Sequence, residues 1–186
     1  MRPMEKYAPG TVMPYSEIGE GMFSLFKPMI KAADGLSLGQ VSALTGLEYS
    51  TIQNWVKRGF VAHPVNKKYY ERQLARILVI SALRDCMKID DIVRLLASVN
   101  GSVEDDSDDI VSESTLYDHL CEAAKIIDES QVLDVDAIAE QVIGDYVGPA
   151  GDSRKRLLRC FTVMIYALVS GRYKREADLL LARLDY

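Results

Sequence analysis

Residues 37–60 read SLGQVSALTGLEYSTIQNWVKRGF, and residues 61–71 continue as VAHPVNKKYYE. Two short helices joined by a tight turn fit the first stretch. Ser37 is an N-cap for a helix starting at Leu38, because a short hydroxyl side chain can accept from the free N–H groups of the first turn. Ser42 stands four residues before Gly46, and a small side chain there lets two helices cross closely. Gly46 is free to take the left-handed conformation that the turn demands. Gly59 ends the second helix in the same manner. Val41, Leu44, Leu47, Ile52, Trp55 and Val56 then share the inner side. Tyr49, Ser50, Gln53, Asn54 and Lys57 form the outer stripe of helix 49–58, since residues three and four apart lie on one face. Phe60-Val61-Ala62 and Lys68-Tyr69-Tyr70 are expected as two strands of a wing, with Pro64 in the loop between them.

Outward from this stretch the pattern is helical. Residues 1–35 are expected as an N-terminal arm and a lead helix. The arm is rich in Pro and Gly through residue 22, either a poorly ordered start or a segment laid on the domain. The helix covers Met22 to Ala33 and is kinked at Pro28 or begins near it. The winged helix-turn-helix unit is expected over 36–99, including helices from Arg72 to Met87 and from Ile89 to Val99. In the latter, Asp90 and Asp91 fall in the first turn, where the helix dipole favours negative charge. NGSVEDDSDD at 100–109 opens an acidic linker, 100–112, whose acids lack the glycine and glutamate spacing of a calcium loop. A helical extension over 113–186 follows, for dimerisation or an effector. It is expected as one helix capped by Ser112 or Ser114, one capped by Asp134, one from Asp152 through LLRCFTVMIYALVSG, and one from Tyr173 to Leu184. The fold class is thus mainly α, a winged helix-turn-helix with a C-terminal all-helical extension.

The chain has 186 residues, 48% of them apolar and 26% charged, as in a soluble globular protein. The first residues lack the apolar core of a signal peptide, and the most apolar run contains Arg159, so a cytoplasmic protein is expected. Cys86, Cys121 and Cys160 are far apart and without a CxxC pair, and are expected as buried, inert thiols. With His63 and His119 they show no metal-ligand spacing. No cofactor, metal or catalytic site is expected, because no nucleotide-binding, nucleophile-elbow or zinc-protease motif is present.

A net charge of −5 conceals a sharp division. Glu48 to Arg76 holds six bases against two acids. Asn100 to Asp152 holds fifteen acids against Lys125 alone. From Ser153 onward there are eight bases against three acids. Phosphate attraction depends on charge near the contact, because charges beyond a Debye length of about 10 Å are largely screened.

The same residues resemble the MerR-type winged-helix family. The resemblance lies in Ser42 and Gly46, Thr51-Ile52 with Trp55, Gly59-Phe60-Val61, and Tyr69 or Tyr70. Over residues 36–99 the chain is more closely similar to an uncharacterised bacterial family, domain of unknown function number eighteen thirty-six. That similarity rests on Thr51-Ile52-Gln53-Asn54-Trp55-Val56-Lys57 and on Pro64 to Tyr69. The MerR resemblance implies the winged fold and a mode of binding to double-stranded DNA.

The expected function is therefore sequence-specific DNA binding by a transcriptional regulator, with helix 49–58 in the major groove. Tyr49, Gln53 and Asn54 would approach bases, Gln and Asn being able to pair bidentately with adenine. Ser50, Thr51, Lys57, Lys67, Lys68 and Arg72 would hold phosphates. A homodimer is expected, since paired half-sites match a two-fold protein. Its interface would lie on the C-terminal helices, the apolar one from Leu157 to Val169 and the final one with Ala177, Leu180, Leu181 and Leu184. Tyr146, Phe161, Met164 and Tyr166 are a candidate lining for a small-molecule effector pocket. The rival reading is a protein–protein adaptor on a winged-helix scaffold that has lost DNA binding, which the acidic segment 100–152 favours.

Overall fold

The computed structural model describes residues 7–14, 21–105 and 107–184. A 3-10 turn, Met22–Leu25, leads into α1, Phe26–Ala32. There follow β1 (Leu36–Ser37), α2 (Leu38–Thr45), α3 (Tyr49–Lys57), β2 (Lys68–Tyr69), α4 (Glu71–Leu83) and α5 (Ile89–Asn100). Then come α6 (Glu113–Glu129), α7 (Val135–Ile143) and α8 (Ser153–Leu181).

α4 is the axis of the molecule. Ile77, Leu78, Val79 and Ile80 are consecutive and all fully buried, so this helix is covered on every side. α1, α2, β2, α5, α6 and α8 all pack on it. The buried side chains form one cluster, running from Ala8 through Trp55 and Leu78 to Phe161 and Val169. Of the N-terminal arm, residues 1–6 and 15–20 lie outside the described residues. Residues 7–14 are laid on this core, with Tyr117 Oη donating to the Pro9 carbonyl at 2.9 Å. Gly10, at φ +72°, is pressed on the Leu78 carbonyl, where a Cβ would come within 2.2 Å of the oxygen.

Several caps are where local chemistry put them. Ser37 caps α2 in a reciprocal box with Gln40, Ser112 caps α6, and Asp134 caps α7. α8 starts after Asp152, but that side chain makes no capping bond. Pro28 sits in the first turn of α1, where its missing N–H costs nothing.

Two expectations are corrected. Phe60–Ala62 do not pair with Lys68–Tyr69, and both backbone polar groups of Phe60 are engaged elsewhere. Phe60 N donates to the Trp55 carbonyl in closing α3, the Phe60 carbonyl accepts from Arg76 Nε, and the His63 carbonyl accepts from Gln73 Nε2. β2 pairs antiparallel with β1 instead, Leu36 opposite Tyr69 and Ser37 opposite Lys68. What remains of the wing is a two-residue turn. Val65 and Lys68 exchange backbone hydrogen bonds around Asn66 and Lys67, at φ 50° and 63°. Both central residues are left-handed, as the tightest hairpins require.

The last two expected helices are one. Gly171 does not break α8, which runs on through it past the α4–α5 connection with room to spare for a side-chain carbon. A Cβ at Gly171 would lie 3.7 Å from Asp85 Cβ and 3.9 Å from Cys86 Sγ. Arg172 to Asp128 and Arg175 to Asp85 fasten the helix on either side of it, at 2.5 and 2.6 Å.

Candidate nucleic-acid interface

The turn between α2 and α3 is held by its own side chains. Gly46 takes φ +69°, and its N–H donates to the Ser42 carbonyl at 2.8 Å. The Ser42 hydroxyl reaches across the turn to the Leu47 carbonyl at 2.6 Å. Thr45 Oγ1 accepts from Leu47 N. Ile52, Trp55 and Val56 then fix the inner face of α3 in the core, Trp55 among them as a packing residue.

The opposite face is polar and open. Tyr49, Ser50, Gln53, Asn54 and Lys57 are exposed, and Thr51 is half-buried. Tyr49 leans over the start of α2, its hydroxyl near Gly39. Among the described residues, the side chains of Ser50, Gln53, Asn54 and Lys57 make no intrachain hydrogen bond or ion pair. Lys67 is exposed at the tip of the two-residue turn.

Two of the expected phosphate contacts are engaged within the chain. Lys68 Nζ donates to the carbonyls of Ala33 and Gly35, at 3.0 and 3.1 Å, and so completes the C-terminal end of α1. Arg72 donates to the carbonyls of Ser102 and Asp105, at 3.0 and 2.6 Å, and lies 3.7 Å from Asp109. The acidic loop therefore closes over Arg72. Sequence reasoning missed the partner of this loop, because nothing near Arg72 in the chain announces a contact about thirty residues away. It also missed Arg58, which lies over the Phe60 ring at 4.3 Å and pairs with Asp90 at 3.1 Å.

Beneath the loop sits a polar cluster. Arg76 and Glu113 form a buried ion pair at 2.5 Å, and Asn100 donates to the Val111 carbonyl. Burial pushes the Asp109 carboxyl up to about 6, against the pull of Arg72 and Asn100. Arg76 joins the end of α3, through Phe60, to the start of α6.

The expected effector pocket does not form from the residues named for it. Phe161 and Met164 are fully buried in the core, Tyr166 points out on the far side of α8, and the Tyr146 hydroxyl donates to the Ile110 carbonyl. Residues 161 to 166 span more than a turn of helix, which sets their side chains on different faces. A groove of about 590 Å³ lies elsewhere, lined by Lys27, Ile30, Lys31, Asp34 and Tyr70. The thiols divide too. Cys121 is buried and pushed up to about 12 by desolvation, whereas Cys86 is exposed, contrary to expectation. Cys86 lies on the turn after α4, beyond the last covered residue of that helix.

The stretch that carries this interface is the one with known relatives. Residues 32–120 match the family described as Domain of unknown function (DUF1836). An uncharacterized protein of Bacillus subtilis (strain 168), YkrK, is 32% identical over 87 residues. That similarity covers 45% of this chain and 37% of the relative's length, so most of the relative lies outside it. No solved structure matches. The DUF1836 match takes in α2, α3, the turn and α4, together with the acidic loop and the first half of α6. No described helix is long and apolar enough to cross a membrane.

Proposed function

We propose that this protein is a sequence-specific DNA-binding transcriptional regulator with a MerR-like helix-turn-helix, in which α3 enters the major groove. The observation that supports it is the outer face of α3. Gln53, Asn54, Ser50 and Lys57 stand exposed without intrachain partners among the described residues, on a helix whose other face is locked by Ile52, Trp55 and Val56. A rigid helix offering polar side chains costs little ordering on binding. Gln53 and Asn54 read bases, each good bidentate pair being worth about 1–3 kcal/mol of discrimination. Tyr49 flanks them, and Ser50 and Thr51 lie in the first turn, where N–H groups favour a phosphate. Lys57 and Lys67 supply the free positive charge. Lys68 and Arg72 are left out of this reading because their donors are engaged within the chain.

The test is selection of bound duplexes from a random pool, run on the wild type and on a Gln53→Ala/Lys57→Ala variant. An enriched motif that is lost in the variant supports the reading. Affinity should also fall with salt at a log–log slope of about −0.9 per neutralised phosphate. No enrichment at low salt would refute it. That outcome would favour the adaptor, for which the acidic loop over Arg72 already speaks.

A further inference from the structure

Arg72 stands in the first turn of α4, five residues beyond Lys67 at the tip of the two-residue turn. Helical side chains lean toward the N-terminus of their helix, so Arg72 reaches back toward that turn. Its neighbours on α4 hold the segment between α3 and β2. Gln73 Nε2 donates to the His63 carbonyl and Arg76 Nε to the Phe60 carbonyl, at 3.1 and 2.7 Å. Arg72 is thus a cation beside the helix-turn-helix, and its charge is taken up by the stretch between α5 and α6. Arg72 Nη2 donates to the carbonyls of Ser102 and Asp105, and Asp109 Oδ1 lies 3.7 Å from it.

We propose that Arg72 is a phosphate-binding residue held in reserve, and that Ser102, Asp105 and Asp109 are an internal stand-in for a phosphate, displaced when a DNA duplex arrives. The inference extends the DNA reading above and rests on it. The grip on Arg72 is incomplete in a way that a phosphate would complete. Both hydrogen bonds leave from Nη2, while Nε is buried and has no hydrogen-bond partner among the described residues. A phosphate accepts from Nε and Nη2 side by side, the two-pronged geometry that a guanidinium favours. At 3.7 Å, Asp109 is near enough to attract Arg72 but too far for a hydrogen bond.

The stretch is also built to be moved by a polyanion. Gly101 to Asp109 carries five acids and no base. A duplex approaching α3 repels these acids with the same charge that attracts Arg72. The closed position depends on Gly101, at φ 48° and ψ −124°, a backbone conformation that side chains other than hydrogen resist. A Cβ there would also overlap the Asp108 carboxylate. Any change that opens the stretch should therefore tighten DNA binding by the factor with which DNA opens it, because coupling between two sites is reciprocal.

The test is binding of the full chain to a mixed-sequence duplex between about 50 and 200 mM salt, read by fluorescence anisotropy. Gly101→Ala should bind at least about five-fold more tightly than the wild type, the low end of coupling between linked sites. Its log–log salt slope should steepen by about 0.9, one further phosphate. Gly101→Ala/Arg72→Gln should return to the wild-type slope. Phenylglyoxal labelling mapped to Arg72 reads the cover without DNA. It should be faster in Gly101→Ala than in the wild type, and slowed there by duplex. Circular dichroism checks the fold, and Gly101→Val, whose branched side chain tolerates positive φ still less, is a second opening variant. A wild-type slope in both opening variants, a double variant that keeps the steeper slope, or Arg72 labelled no faster in either opening variant would each overturn the proposal and leave the reading of α3 standing. No duplex binding by any of these chains at low salt would overturn both.

Discussion

Replacing Glu113 by alanine should be among the most damaging single changes in this chain that leave the apolar core intact. The Arg76 side chain is 2% exposed and that of Glu113 1%, and they meet at 2.5 Å. Removing the carboxylate leaves a guanidinium in the interior with the Phe60 carbonyl as its remaining partner among the described residues. Breaking a buried pair from one side costs about 3–5 kcal/mol, because the surviving charge has lost its compensation. Against a total of about 5–15 kcal/mol, this is a large share. It should lower Tm by roughly 10 °C, at about 2–4 °C per kcal/mol for a chain of this size. Removing both partners is a different matter. Arg76 Nη2 and Glu113 Oε2 have no hydrogen-bond partner among the described residues, so the pair does not recover all of its desolvation. Arg76→Met/Glu113→Leu should therefore lie within about 2 kcal/mol of wild type, having lost little beyond the bond to Phe60. Urea unfolding followed by circular dichroism measures all three chains. A loss below about 1 kcal/mol for Glu113→Ala, or a double variant worse than the single one, would refute the reasoning.

Asp109 supplies a pH dependence. Its carboxyl holds a proton up to about pH 6 in the fold, above its ordinary 3.8, so the folded state binds more protons than the unfolded one in that window. Its contribution to stability should fall as pH rises from the ordinary carboxylate range to about 6 and stay level above. Asp109→Asn should remove that part of the slope in urea midpoints; parallel profiles for the two chains would contradict it. Gly10→Ala sets a Cβ against the Leu78 carbonyl and should lift residues 7–14 from α4, read as faster amide exchange at Thr11 and Val12 with the core unchanged. Ellman's reagent should modify Cys86 at once and Cys121 only on unfolding, since burial holds the Cys121 thiol far up its titration. Equal rates at the two sites would contradict the packing described.

What the sequence made legible was local. Ser37, Ser112, Asp134, Gly46 and Gly59 each act on backbone groups within a few residues, so their roles can be read without knowing the fold. The inner and outer faces of α3 follow from the helical period alone. Two-residue strands carry no periodic signal, and nothing in the sequence marks β1. Gly171 reads as a helix end because the ion pairs that fasten α8 just beyond it, Arg172 to Asp128 and Arg175 to Asp85, join residues 44 and 90 positions apart. Lys68 and Arg72 sit beside the turn and read as free cations, yet their partners, Ala33 and the acidic loop, lie about thirty residues away in opposite directions.

The all-round burial of α4 bears on where this chain can be cut. The DUF1836 match stops at residue 120, midway along α6. A fragment ending there would leave the side of α4 that α8 covers bare, along with the α8-facing side of α5. Such a fragment would be adhesive, and binding seen with it would report its stickiness before its specificity. Expression boundaries for this protein therefore belong beyond α8, even when the region of interest is the short stretch around Trp55.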